Sequence, residues 1–158
     1  MRILVISDSH GNAGRFRLAL EAQPSAKTVL FLGDGLREAE DIANRFPDRT
    51  FYAVRGNCDF FAASLTANTP ETREEIFGGK KIFMTHGHIY GVKGGCGRLE
   101  DAAKACGADI ALFGHTHIPY TDYDDGIYYM NPGSLGYGGE YGFIDITPAG
   151  IVTNIVKL

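Results

Sequence analysis

The sequence predicts an α/β fold of two mixed β-sheets packed face to face with helices on the outside, and three observations predict it. Short apolar runs rich in β-formers recur along the whole chain. Amphipathic helical patterns separate the early runs, an alternation that implies parallel strands joined by right-handed crossovers. Beyond Ile118 strands and turns continue without helices, so later neighbours pair antiparallel through tight turns.

Taken in order, the strands are "RILVIS" (2–7), "TVLFLG" (28–33), "TFYAVRG" (50–56), "REEIFG" (73–78), "KKIFMTHG" (80–87) and "DIALFG" (109–114). "GIYYMN" (126–131), "YGFIDIT" (141–147) and "GIVTNIVKL" (150–158) follow. A helix over 13–22 offers Phe16, Leu18, Ala19 and Leu20 as its apolar face, and one over 36–46 offers Leu36, Ala39, Ile42, Ala43 and Phe46. A third, over 97–106, carries Leu99, Ala102, Ala103 and Cys106 and stops at Gly107. "GGK" (78–80) and "PAG" (148–150) read as tight turns, and the Gly-rich "GSLGYGGEYG" (133–142) as a mobile loop.

A length of 158 residues, with 44% hydrophobic and 22% charged residues, describes one globular domain over 1–158 with a real core. No stretch approaches the ~20 apolar residues that span a bilayer, so no membrane association is expected. The start, "MRILVISDSHG", has one basic residue and too short an apolar run for a signal peptide. Three cysteines, an odd number without a CxxC pair, argue against a disulfide framework or a thiolate zinc site and fit the cytoplasm. A formal charge of −4 provides no basic surface for long nucleic acid; small anions remain compatible.

The polar residues are placed where such a fold makes chemistry. All five histidines fall in three short clusters, "DSHG", "THGH" and "GHTH". Asp8 and His10 follow the first strand, Asp34 the second, Asn57 the third, His86 "KIFMT", and His115 and His117 "IALFG". The carboxyl ends of parallel strands face one crevice, so these seven can converge there as metal ligands. Imidazole and carboxylate suit first-row divalent metals. In extended chain, the i, i+2 spacing of Asp8 with His10 and of His115 with His117 points each pair to one side. Glycines at 33, 56, 87 and 114 let the backbone bend or approach closely at the strand exits. Two carboxylates and otherwise neutral donors supply about −2, which two divalent cations would turn to about +2 for hydroxide and phosphate oxygens.

"D-S-H" (8–10), "G-D" (33–34), "G-N-C-D" (56–59), "H-G-H" (86–88) and "G-H-T-H" (115–117) resemble, in order and spacing, the calcineurin-like metallophosphoesterases, and more narrowly their small bacterial and archaeal phosphodiesterase branch. The resemblance spans nearly the whole chain, down to "NPGS" (131–134). It implies a four-layer α/β/β/α sandwich with a dinuclear centre: one metal on Asp8, His10, Asp34 and His117, the other on Asp34, Asn57, His86 and His115, with Asp34 bridging. A metal-bridging hydroxide would then attack phosphorus in line.

The chain departs from the pattern in two places. Many family members have His where Cys58 stands, a residue thought to help protonate the leaving group; cysteine is a poor substitute, which favours activated or diester substrates. Relatives also often carry Pro-Arg shortly after "NPGS", where this chain continues "LGYGGEYG". Asp59 is read as orienting its loop, Cys58 as pocket lining or participant, and His88 either as a contact to substrate or ligands or as plain loop. Asn57, Cys58, Asp59 and His88 thus form the expected catalytic set beside the metals. Cys96 and Cys106 are read as packing residues, and the tyrosines at 120, 123, 128, 129, 137 and 141 chiefly as edge-strand packing.

The expected function is metal-dependent hydrolysis of a small phosphodiester, with two divalent ions, Mn²⁺ first and Fe²⁺, Zn²⁺, Ni²⁺ or Co²⁺ as alternatives. Exposed tyrosine-rich strands would allow a homodimer. The rival is a non-catalytic protein-interaction scaffold on the same fold, as found among trafficking relatives. Such relatives tend to lose ligands, whereas all seven are present here.

Overall fold

The computed structural model describes residues 1–61 and 68–158. In chain order its elements are β1 (Arg2–Ile6), α1 (Ala13–Ala22), β2 (Thr28–Phe31), α2 (Leu36–Arg45), β3 (Thr50–Ala53), β4 (Thr72–Phe77), β5 (Lys80–Thr85), α3 (Gly97–Cys106), β6 (Ile110–Leu112), β7 (Tyr120–Asp124), β8 (Ile127–Asn131), β9 (Glu140–Thr147) and β10 (Gly150–Lys157). The strands make two five-stranded sheets, ordered β10-β9-β1-β2-β3 and β4-β5-β6-β8-β7. The β1, β2, β3 and the β5, β6, β8 neighbours pair parallel, while β9, β10, β4 and β7 add antiparallel edges.

Side-chain alternation produces the layering. In β1, Ile3 and Val5 meet Ile82, Met84, Ile110 and Leu112 of the second sheet in the central core. Their neighbours Leu4 and Ile6 point the other way, onto Phe16, Leu20 and Ile42 of α1 and α2. On the far side, Phe83, Ala111 and Phe113 receive Leu99 and Ala103 of α3. The architecture is the four-layer α/β/β/α sandwich.

The helices match the predicted spans closely. Asn12 caps α1 by accepting the Arg15 N–H at 3.1 Å, and Gly107 ends α3 with a left-handed φ of 68°. Leu18, expected on the inner face of α1, is exposed; Phe16, Ala19 and Leu20 alone already fill the i, i+3, i+4 stripe. β7 had no counterpart in the sequence reading. All five of its residues are exposed, so it shows no period-two burial, and its two aspartates blunt a free sheet edge.

Four strands end earlier than their apolar runs do. β2 stops at Phe31, β3 at Ala53, β5 at Thr85 and β6 at Leu112, two or three residues short of the predicted ends. Beyond these points the backbone leaves the sheet to form the site. The 133–142 stretch, expected to be mobile, is instead tied down: Leu135 is fully buried and donates its N–H to Ser7 O, and Gly136 N–H donates to Asp8 O at 2.9 Å.

Candidate metal centre

The donors stand at the carboxyl ends of β1, β2 and β3 in one sheet and of β5 and β6 in the other, so both sheets face one cluster. The backbone carrying them is not extended, as the i, i+2 spacing had implied. Asp8, His10, Asp34, His115 and His117 have left-handed φ values of 54°, 42°, 58°, 67° and 60°. Side chains other than glycine rarely accept this, at on the order of 1 kcal/mol each. Hydrogen bonds over-determine it: Asp8 N–H to Gly33 O, His10 N–H to Asp34 O, and His115 N–H to Asp8 Oδ2. Crowding explains two of the strand-exit glycines. A Cβ on Gly56 would lie 2.1 Å from Asp34 Oδ1, and one on Gly114 would lie 2.0 Å from Ser7 Oγ.

Asp8 is fully buried. Its Oδ2 accepts from Ser7 Oγ at 2.5 Å and from His115 N–H at 3.2 Å, but Oδ1 has no hydrogen-bond partner. Three imidazole Nε2 atoms surround that oxygen: His117 at 3.0 Å, His10 at 3.5 Å and His86 at 4.0 Å. Asp34 Oδ2 lies 3.4 Å from His86 Nε2 and 3.9 Å from His10 Nε2. His86 Nδ1 donates to Leu32 O at 2.7 Å, which fixes the tautomer and leaves Nε2 facing Asp34 and the Asn57 Oδ1, 3.1 Å away.

Three groups each have ligand atoms close enough to share one ion: Asp8, His10 and His117; Asp8, Asp34 and His86; and His10, Asp34 and Cys58. His115 is in none of these three groups; its ring centroid lies 5.1 Å from that of His86. An orphaned buried carboxylate oxygen ringed by imidazole nitrogens is a donor set with nothing but donors at its centre, and it fits divalent cations. His88 is further out, its Nε2 3.7 Å from Glu71 and its ring 6.1 Å from that of His115.

Charge shapes the titration of the cluster. Burial pushes the Asp8 and Asp34 carboxyls up, yet the imidazoles around them, Ser7 beside Asp8 and the Cys58 N–H beside Asp34 bring both below the usual range. The His10 and His86 imidazoles are raised, chiefly by the opposing pull of these carboxylates against burial. Burial and the charge of His86 lower His88 and push His115 down to about 4, which keeps these imidazoles neutral. Desolvation of the Cys58 thiol, together with Asp34, Asp59 and Asp8, raises it to about 11 even though the residue as a whole is exposed.

Asp59 accepts four backbone N–H groups, those of Asp34, Gly35, Leu36 and Gly56, at 2.7 to 3.0 Å. It therefore caps α2, whose own N-cap is a glycine with no side chain to do so. Sequence reasoning missed several supports. Asn131 donates to Gly114 O and Thr116 Oγ1 at 2.9 Å and so holds the loop bearing His115 and His117. Ser134 Oγ donates to Asp8 O at 3.0 Å, and Glu38 accepts the Gly11 N–H. "NPGS" was a visible signal for the first two, while no local pattern marks Ser7 or Glu38.

Comparison with known proteins identifies the family. The chain is 32% identical over 140 residues to the probable metallophosphoesterase YsnB of Bacillus subtilis, covering 85% of this chain and 75% of that protein. It is 28% identical over 168 residues to the phosphodiesterase YfcE of Escherichia coli, covering 92% and 88%. A Streptococcus pneumoniae crystal structure, of a conserved uncharacterized protein described as a predicted phosphoesterase, superposes with a TM-score of 0.83 at 26% identity over 99% of this chain and 88% of that one. The calcineurin-like phosphoesterase superfamily domain model matches residues 1–146. A match of that extent shows that the chain belongs to the calcineurin-like phosphoesterase superfamily.

Proposed function

We propose that the protein is a divalent-metal phosphodiesterase that hydrolyses a small phosphodiester at a two-ion centre, with Mn²⁺ as the working metal. The observation that carries this reading is the orphaned Asp8 Oδ1 at the focus of three imidazole nitrogens. Asp8, His10, Asp34 and His117 would hold one ion, and Asp34, Asn57, His86 and His115 the other. When bound, the ions supply a nucleophile from water near neutral pH and positive charge for the phosphoryl oxygens.

The chain's own groups define the rest. Asp34 sits between the two donor sets and joins them. The Leu32 carbonyl keeps the His86 proton on Nδ1, so that Nε2 presents a lone pair. Cys58, with its thiol at about 11, holds its proton at neutral pH and gives little help to a poor leaving group. That favours diesters with acidic leaving groups over alkyl monoesters. Asp59 acts through the loop it braces, and His88 lines the rim beside Glu71.

The test is metal content, followed by hydrolysis of an aryl phosphodiester and an aryl monoester with Mn²⁺ in wild type, Asp34→Asn and His86→Ala. Expected are metal-dependent turnover preferring the diester and a loss of at least ~10²-fold in both variants. Unchanged turnover in the variants would reject the assignment.

A further inference from the structure

The segment after "NPGS" continues "LGYGGEYG", and it brings one aromatic ring to the donors. The ring of Tyr137 packs against both imidazoles of one donor set, with centroids 4.9 Å from His10 and 5.2 Å from His117. Yet the residue is 67% exposed. Its ring therefore covers the edge of the centre and keeps most of its surface in solvent.

The backbone beneath it is fixed. Tyr137 N–H donates to Ser134 Oγ at 3.1 Å, and Gly138 and Gly139 N–H donate to Ser134 O. The Arg15 guanidinium donates to the carbonyls of Leu135, Gly136 and Tyr137 at 3.3, 2.7 and 3.1 Å. Ser134 also donates to the Asp8 carbonyl, so the backbone beneath the ring is tied to the ligand-bearing turn itself.

A large aromatic on a fixed backbone, in contact with the cluster along one edge and otherwise open, is a ready surface for a second flat ring. We propose that Tyr137 is a specificity-determining residue whose ring stacks on a planar aromatic group of the substrate while the substrate's phosphorus anion occupies the centre. The substrate class is thereby narrowed to phosphoesters with an aryl or heteroaromatic arm. The inference rests on the phosphodiesterase reading only for its substrate; the binding surface itself is tested without turnover.

Phenylphosphonate and methylphosphonate carry the same anionic head, differ only in the ring, and are not hydrolysed. Their binding to the Mn²⁺-loaded protein would be compared by calorimetry in wild type, Tyr137→Ala and Tyr137→Phe. Expected in wild type is a preference of roughly tenfold for the phenyl compound, as for a single aromatic stack. Tyr137→Ala should erase the preference and leave methylphosphonate affinity within about twofold, while Tyr137→Phe should keep it. Equal binding of the two ligands to wild type overturns the proposal, as does a preference that survives in Tyr137→Ala. An equal loss for both ligands in Tyr137→Ala also overturns it, since the ring would then merely position His10 and His117. If wild type discriminates between the ligands but cleaves no diester, the hydrolase reading fails and the stacking surface stands.

Discussion

The Asp59 carboxylate accepts the backbone N–H of Asp34 at 2.9 Å, so a candidate metal ligand is held in place by an acid 25 positions away. The same carboxylate caps α2 through Gly35 and Leu36 and clasps Gly56 across the neighbouring strand exit. Replacing one oxygen by an amide turns an acceptor toward donors. Asp59→Asn should destabilise the fold by about 1.5–3 kcal/mol in urea denaturation and weaken Mn²⁺ binding. A variant of wild-type stability with only kcat reduced would instead place Asp59 in the chemistry.

The two donor sets of the proposed centre should be separable by single substitutions. His117→Ala should lose about one equivalent of bound metal and retain the other, and His115→Ala should do the same for the opposite ion. Metal content after dialysis, read alongside diester turnover, checks this. Retention of two equivalents in either variant would remove that histidine from the ligand set.

Two glycine-to-alanine changes with ordinary backbone angles should behave oppositely. At Gly56 the new methyl would sit 2.1 Å from Asp34 Oδ1, whereas at Gly97, at the start of α3, nothing lies within 4 Å. Gly56→Ala is expected to cost about 1–3 kcal/mol and to depress metal binding. Gly97→Ala should be neutral or stabilising by up to ~1 kcal/mol. Thermal melts with and without Mn²⁺ measure both.

Far from the centre, Arg2 grips Asp145 through two hydrogen bonds, at 2.8 and 2.6 Å, and lies over the Phe143 ring. The pair ties β1 to β9. That hydrogen bond, against a smaller effect of burial, holds the Asp145 carboxyl below its ordinary 3.8. A depressed carboxyl stabilises above its unfolded value, so the contribution is present from 3.8 upward and disappears as pH falls through the lower folded value. Because both side chains are partly exposed, Asp145→Asn should cost only about 0.2–1 kcal/mol at neutral pH. The difference from wild type should close in acid, as followed by urea midpoints against pH.

Much of this was legible in the sequence because burial leaves periodic traces. Ile3 and Val5 against Leu4 and Ile6 write a two-sided strand, and Leu36, Ala39 and Ile42 write a helix face. The donors were legible because each follows an apolar run. What stayed hidden has no local period. β7 buries none of its residues and so left no alternation. The left-handed turns at Asp8 and His10 are imposed by partners at Gly33 and Asp34. Tyr137 reads as one tyrosine among eight until its contacts with His10 and His117 are seen.

The donors come from both sheets: Asp8, His10, Asp34 and Asn57 leave one, and His86, His115 and His117 leave the other. An ion drawing on both is a rivet through the seam, so prising the layers apart must also empty the centre. Chelation should then lower the melting temperature of the whole molecule, and metal in hundredfold excess over its dissociation constant should return about 2.7 kcal/mol.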